Sequence, residues 1–133
     1  MLTFENNQFG NGPDINFVTI EEAKADRVRI IEACAASLRN KMVADTSPAE
    51  MASWTLKLTE AQAGGGPMLA LEAQYRGISE ASLIEKILSN AQNLASAEAM
   101  IAGVSGKHSD TINALTSIEE VCAYDMRSDW PEF

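Results

Sequence analysis

Signals that start and stop helices recur along this chain and limit it to a series of helical segments. Thr19 and Glu22 form a capping box, in which the hydroxyl accepts the N–H three residues on and the carboxylate reaches back. Ser47 followed by Pro48 predicts a second start, because Ser is a good N-cap and Pro suits the first helical position. Apolar residues at spacings of three and four follow both signals. The sequence therefore predicts an all-α fold, a small bundle of about five helices.

The run Gly64–Gly66, followed by Pro67, interrupts this pattern. Three glycines favour either a flexible hinge or a tight reversal, and the sequence leaves both open. The run lacks the Lys-Ser/Thr of a phosphate-binding loop. A short helix from Pro67 to Arg76 is expected next, with Gly77 as a left-handed C-cap. Ser79 then predicts the start of the longest helix.

The bounds of the other helices are less sharply marked. The first helix is expected to reach about Ala44. Gly103 and Gly106 either end the longest helix or lie within it, at a cost of about 1 kcal/mol each. Thr116 or Ser117 predicts the cap of a short last helix.

Residues 1–18 differ in composition from the rest, since Phe4, Phe9 and Phe17 alternate with Asn, Gly and Pro. We expect an extended N-terminal arm at 1–18 and a helical domain at 19–133. The arm either packs or frays at the terminus, or docks on a neighbour by strand addition. Exposed phenylalanines promote association, so the three rings are candidate partner-binding residues.

The two tryptophans have different expected places. Trp54 lies on the apolar stripe of the second helix and is expected in the core. Trp130, followed by Pro131, either anchors a loose C-terminal tail or meets a partner. We therefore add Trp130 to the candidate partner-binding residues.

The balance of charge disfavours two classes of partner. The chain has 133 residues and a formal net charge of −9. Nucleic acid and anionic membrane surfaces are both expected to repel it. The sequence shows neither a signal peptide nor an apolar run of the ~18 residues that a spanning helix needs, so a soluble protein is expected. Cys34 and Cys122 are expected to be buried, reduced thiols.

Residues capable of chemistry are few. His108, the chain's one histidine, lies close in sequence to Ser105 and Asp110. A catalytic triad needs such groups to converge in space, usually from separate segments, so a solvated helix junction is expected instead. The Gly103–Gly106 spacing matches the backbone-clamping loop of KH domains, but the strands of that fold are missing.

Two pairs of adjacent carboxylates are further candidates for chemistry. The pairs Glu21/Glu22 and Glu119/Glu120 stand at predicted helix starts, where the helix dipole stabilises them. Adjacent helical residues point about 100° apart, which does not suit a glycosidase or di-metal pair. We predict no catalytic residue, no cofactor, no metal site and no enzymatic activity.

Several segments in the C-terminal half together make an Ala-rich helical pattern with an Arg-Gly-hydrophobic-Ser junction at Arg76–Ser79. They are Met68–Ser79, Leu83–Ala91, Ile101–Gly103, Gly106, Lys107, Asp110, Ile112 and Thr116–Val121. Over about residues 67–124, these runs resemble a helical module of tailed-phage and prophage tail proteins, found near tail-fibre genes or at the end of tail-fibre-associated proteins. An upstream helix like Lys24–Leu38 is often present in them. The triple glycine departs from the Pro/Tyr linker common at that place.

The resemblance implies a structural or assembly role without catalytic residues, in the virion or the host cytoplasm. Its expected partner is a phage tail or tail-fibre protein, and a homo-oligomer is a further option. A different class is an acidic inhibitor or DNA mimic that binds a basic host protein. A mimic needs carboxylates along one face at phosphate-like spacing, whereas the acids here are scattered among caps and helix exteriors.

Overall fold

The computed structural model describes residues 17–133, which form α-helices and, within that range, no β-strand. The five helices are α1 (Ile20–Met42), α2 (Pro48–Gln62), α3 (Pro67–Arg76), α4 (Glu80–Ala114) and α5 (Ile118–Ala123). The predicted all-α fold of about five helices is confirmed. Of the predicted arm, residues 1–16 lie outside the described residues, and with them Phe4 and Phe9.

Hydroxyl caps begin four of the helices, as their sequences indicate. In each case the cap oxygen accepts the backbone N–H three residues on, which satisfies one of the donors that a helix start leaves open. The four bonds are Glu22 to Thr19 at 3.1 Å, Glu50 to Ser47 at 3.1 Å, Ser82 to Ser79 at 3.0 Å and Glu120 to Ser117 at 3.1 Å. Helix α1 ends at Met42, slightly earlier than expected.

The triple glycine forms a tight reversal between α2 and α3. Gly64 and Gly65 have φ values of +93° and +136°, which side-chain-bearing residues rarely adopt. The N–H of Gly65 donates to the carbonyl of Glu60 at 2.8 Å, so the chain turns back immediately after α2. Of the two alternatives that the sequence left open, the structure has the tight reversal.

Two carboxylates stabilise the start of α3, where the N-cap position is Gly66 and offers no side chain. Glu60 reaches from α2 and accepts the N–H of Leu69 at 3.0 Å. Glu80 accepts the N–H of Gly66 at 3.2 Å. A Cβ at Gly66 would collide with the carboxyl group of Glu60 and displace it from these hydrogen bonds.

Helix α4 is 35 residues long and continuous through Gly103 and Gly106. The alternative in which the glycines end the helix is therefore wrong. A Cβ added to either glycine would meet nothing within 4 Å, so neither is required by packing inside the chain.

The helical region divides into two compact units. The terminal unit consists of the described residues up to Met42 together with Glu98–Phe133, and the central unit consists of Val43–Ala97. Helix α4 supplies residues to both. From the sequence we expected one helical domain at 19–133, and no sequence feature indicated this division.

The terminal unit has its core between α1, α5 and the C-terminal half of α4. One buried cluster contains Ala23, Ile30, Ile31, Ile112, Val121 and Met126. A second contains Ala35, Leu38 and Ile101. Cys34 and Cys122 are also buried in this unit as free thiols, and burial raises the pKa of Cys34.

The central unit has a smaller core, formed by Ala61, Leu69, Ala73 and Leu83. Lys57 of α2 and Glu72 of α3 pair across it at 2.9 Å. Trp54 is half-buried and belongs to none of the buried clusters of the described residues. The prediction that Trp54 lies in the core is therefore wrong. The buried residue that α2 contributes is Ala61.

Candidate functional site

His108 is fully buried in the terminal unit, at 0% exposure. Its Nδ1 lies 2.7 Å from the hydroxyl oxygen of Tyr124, and its Nε2 lies 2.8 Å from the carbonyl oxygen of Ser128. A carbonyl can only accept, so Nε2 carries the proton, and in the neutral ring Nδ1 accepts the Tyr124 hydroxyl. The expectation of a solvated helix junction at His108 is wrong, because helix α4 continues through this position and aims the ring inward.

The partners of His108 hold the C-terminal segment after α5 against α4. Trp130 lies beside the ring, with the two ring centroids 5.6 Å apart. Its indole N–H donates to the carbonyl of Met126 at 2.7 Å. Lys107 forms an ion pair with Asp129 one residue away from this contact. The segment that the sequence indicated as a loose tail is therefore anchored by polar and apolar contacts.

Both ring nitrogens of His108 form hydrogen bonds within the fold. Its hydrogen-bonding partners are Tyr124 and Ser128, whereas the two residues that suggested a triad, Ser105 and Asp110, lie on α4 itself. A general base needs a free nitrogen within reach of a substrate proton, together with a nucleophile in contact. The cluster provides an anchor for the C-terminal segment.

A shallow, mainly apolar groove of about 320 Å³ opens next to this anchor. It is lined by residues of α4 and of the C-terminal segment, namely Met100, Gly103, Val104, Lys107, Asp129 and Pro131. Lys107 and Asp129 form an ion pair. Met100 is 49% exposed. No feature of the sequence indicated a groove at Gly103, because residues of the C-terminal segment complete its lining.

Two of the four predicted partner-binding residues can be placed. Phe17 and Trp130 are both partly buried against the same core cluster of the terminal unit. The guanidinium of buried Arg27 lies 5.7 Å from the ring centroid of Phe17, within the range of a cation–π contact. Internal contacts thus account for part of the burial of each ring. A partner-binding role for Phe17 and Trp130 stays a prediction. Phe4 and Phe9 lie outside the described residues.

An exposed apolar pair lies on α3 of the central unit. Leu69 and Ala73 face the core, while Leu71 and Tyr75 are 55% and 83% exposed. Residues four apart are neighbours on a helix surface, so Leu71 and Tyr75 form one patch. The sequence alone does not separate Leu69 from Leu71 and Tyr75, because the exposed pair shows only when the core side of α3 is known.

Ion pairs within each unit neutralise several carboxylates. Arg39 binds Glu98 through two nitrogens, at 2.8 and 2.7 Å, and this hydrogen bonding lowers the pKa of Glu98. Lys57 and then Arg76 lower the pKa of Glu72. The cap contact with Thr116 lowers the pKa of Glu120.

In the part of the chain that the structure describes, no group of three or more His, Cys, Asp or Glu side chains is placed to hold a metal ion. Among the same residues, none of the helices combines the length and apolar character needed to cross a membrane.

Comparison with known proteins gives no relative from which a function could be transferred. No family model, no curated protein and no solved structure matches this chain.

Proposed function

We propose that this chain is a non-enzymatic structural or assembly protein of a phage or prophage tail, acting by protein–protein association. The observation that carries the proposal is the exposed pair Leu71 and Tyr75 on α3. The pair lies within Met68–Ser79, the run in which the sequence resembles tail-protein modules. Since Leu69 and Ala73 already fill the core side of this helix, the outer pair is available to a partner.

The contacts of the terminal unit support a role without catalysis. His108 is buried, and its two ring nitrogens form hydrogen bonds to Tyr124 and to the carbonyl of Ser128, so the side chain has a structural role. The partner is a tail or tail-fibre protein, which the chain binds in the host cytoplasm during assembly or in the virion. The N-terminal residues Phe4, Phe9 and Phe17, together with Trp130, remain the proposed second contact.

The pairing of carboxylates favours this role over that of an acidic DNA mimic. A mimic depends on a row of unneutralised negative charges that replaces a phosphate backbone. Here Asp26, Glu72, Glu98 and Asp129 each lie within ion-pair distance of a Lys or Arg of the chain. That arrangement suits intramolecular stabilisation better than phosphate imitation.

The proposal is tested by co-purification of the tagged chain from cells in which the phage tail is assembling. Identification of tail or tail-fibre proteins by mass spectrometry is expected. The Leu71→Ser/Tyr75→Ser variant should lose that association while keeping its helical circular dichroism, because both side chains point to solvent. The control is Ala70→Ser, at an exposed position of the same helix. Equal recovery of tail proteins with both variants would contradict the assignment of this patch.

Deletion of residues 1–17 tests the second contact. We expect the truncated chain to keep its helix content and a cooperative melt but to recover less tail protein. Truncation that unfolds the chain, or that leaves association complete, would show that the N-terminal residues are not a partner contact.

A further inference from the structure

The segment at residues 128–133 of the terminal unit, here called the strap, belongs to neither a helix nor a strand. Among the described residues, the strap forms no backbone-to-backbone hydrogen bond with the rest of the chain. Met126 is buried in the core and fixes the chain shortly before the strap begins. Side-chain contacts, rather than a ladder of backbone hydrogen bonds, therefore hold the strap in place.

Two neighbouring residues of α4 hold the first part of the strap. The Nε2–H of His108 donates to the carbonyl of Ser128 at 2.8 Å. Lys107 forms an ion pair with Asp129, and because both of these side chains are more than half exposed, water and salt screen the pair. If the strap leaves α4, water reaches His108 and can replace the lost carbonyl as its partner.

Trp130 supplies the apolar contact of the strap. Its ring is partly buried against both core clusters of the terminal unit, and its indole N–H donates to the carbonyl of Met126 at 2.7 Å. The apolar ring and the polar N–H of Trp130 are thus both used inside the chain. A partner can take up this side chain only after it has left the core.

The backbone of the strap is strained at Asp129. Its φ is +72°, and it is the one residue other than glycine with a positive φ in the part of the chain that the structure describes. Side-chain-bearing residues rarely adopt this conformation, and it persists only where neighbouring contacts impose it. Such strain is often found in segments that switch between two states. Release of the strap would relieve it, so the strain favours opening.

We propose that the strap opens as a unit while the helices stay folded, and that opening releases Trp130 to a partner. Opening breaks the contacts with His108, Lys107 and Met126 and removes the strain at Asp129. Because water can replace the polar contacts, the partly buried indole ring is the main group that opposes opening. Only the use of Trp130 by a tail protein rests on the proposed function, and the opening itself does not.

Hydrogen exchange of the Trp130 indole N–H, measured by NMR on the full chain at several low denaturant concentrations, tests the opening. A local opening exposes little surface, so the exchange rate should hardly depend on denaturant. The amide of Ile112, a residue at 0% exposure in the same unit, should exchange through global unfolding with a steep dependence. Relative to unfolded peptides, we expect the indole N–H to be at least about a hundredfold less protected. Equal protection with equal denaturant dependence would overturn the proposal.

Asp129→Ala and Asp129→Gly form a matched pair, because both remove the carboxylate that pairs with Lys107. They differ in the backbone, since glycine adopts a positive φ freely and alanine does not. We expect the indole N–H to exchange about fivefold or more faster in Asp129→Ala than in Asp129→Gly. The helical circular dichroism of both variants should match that of the unmodified chain. Equal exchange in the two variants would also overturn the proposal.

Co-purification from cells then tests the release of Trp130 to a partner. Asp129→Ala should recover more tail protein than Asp129→Gly, since its strap is open more often. Equal recovery, despite different exchange rates, would overturn the release to a partner and leave the contact at Leu71 and Tyr75 standing. Absence of tail proteins even with the unmodified chain would instead remove the tail assignment, and the exchange rates alone would then decide whether the strap opens.

Discussion

The Nε2 atom of His108 lies 2.8 Å from the carbonyl oxygen of Ser128 and connects α4 to the segment that follows α5. Tyr124 completes the arrangement from the other side of the ring, at 2.7 Å from Nδ1. Both ring nitrogens of this fully buried side chain are thus hydrogen-bonded. Because a buried polar group costs free energy when it loses its partner, this contact is sensitive to substitution.

His108→Ala should lower the free energy of unfolding by about 2–4 kcal/mol, through a cavity and two lost hydrogen bonds. Tyr124→Phe removes one of the two bonds and should cost about 1–2 kcal/mol. Chemical denaturation of both variants and of the double variant measures their coupling, and strictly additive effects would argue against the His108–Tyr124 bond.

The reversal between α2 and α3 should not tolerate a side chain at Gly65. Its φ is +136°, and a Cβ would lie 2.9 Å from Oε2 of Glu80. We expect Gly65→Ala to destabilise by about 1–3 kcal/mol. Gly103→Ala, in a helical conformation with free space, should instead stabilise by about 0.4–1 kcal/mol. Thermal melts compare the pair, and equal shifts of both melting temperatures would contradict a tight reversal.

Acid should destabilise the fold through carboxylates whose pKa is lowered in the folded state. Arg39 lowers the pKa of Glu98, Lys107 lowers that of Asp129, and the Thr116 cap lowers that of Glu120. Each contribution is fully present above the unfolded pKa of about 4 and is lost as the pH falls through the lower folded value.

Denaturation midpoints at pH 7, 4 and 3 should therefore decrease, and the decrease should be shallower in Glu120→Gln. Thr116→Ala keeps the backbone donor to Glu120 but loses the hydroxyl donor, so it should give an intermediate slope. Identical slopes for all three proteins would mean that this cap does not shift the pKa of Glu120.

Trp54→Ala should cost less than Leu69→Ala, although tryptophan is the larger side chain. Leu69 is fully buried, and its loss should cost about 2–5 kcal/mol. Trp54 is half-buried and outside the core cluster, so about 1–2 kcal/mol is expected. Equilibrium unfolding in denaturant gives both values, and the reverse order would place Trp54 in the core after all.

Much of the helical pattern could be predicted because helix ends depend on local chemistry. The hydroxyls of Thr19, Ser47, Ser79 and Ser117 each accept an N–H only three residues away. Gly77 ends α3 with φ +73°, a conformation that glycine adopts freely. These determinants lie within a few residues of the end they set, so a sequence shows them directly.

The candidate sites depended on contacts between distant residues, which no local pattern reveals. His108 meets Ser128 twenty residues on, and the groove at Gly103 exists only because Pro131 returns to α4. Likewise, the core side of α3 separates Leu69 from Leu71, and that side is set by Ala61 of α2 and Leu83 of α4, which share its cluster. The sequence by itself determined where helices begin and end and that the fold is all-α, because those are short-range energies. Only the tertiary structure decided which side chains are buried and which remain available to a partner, because burial is a property of the packed chain.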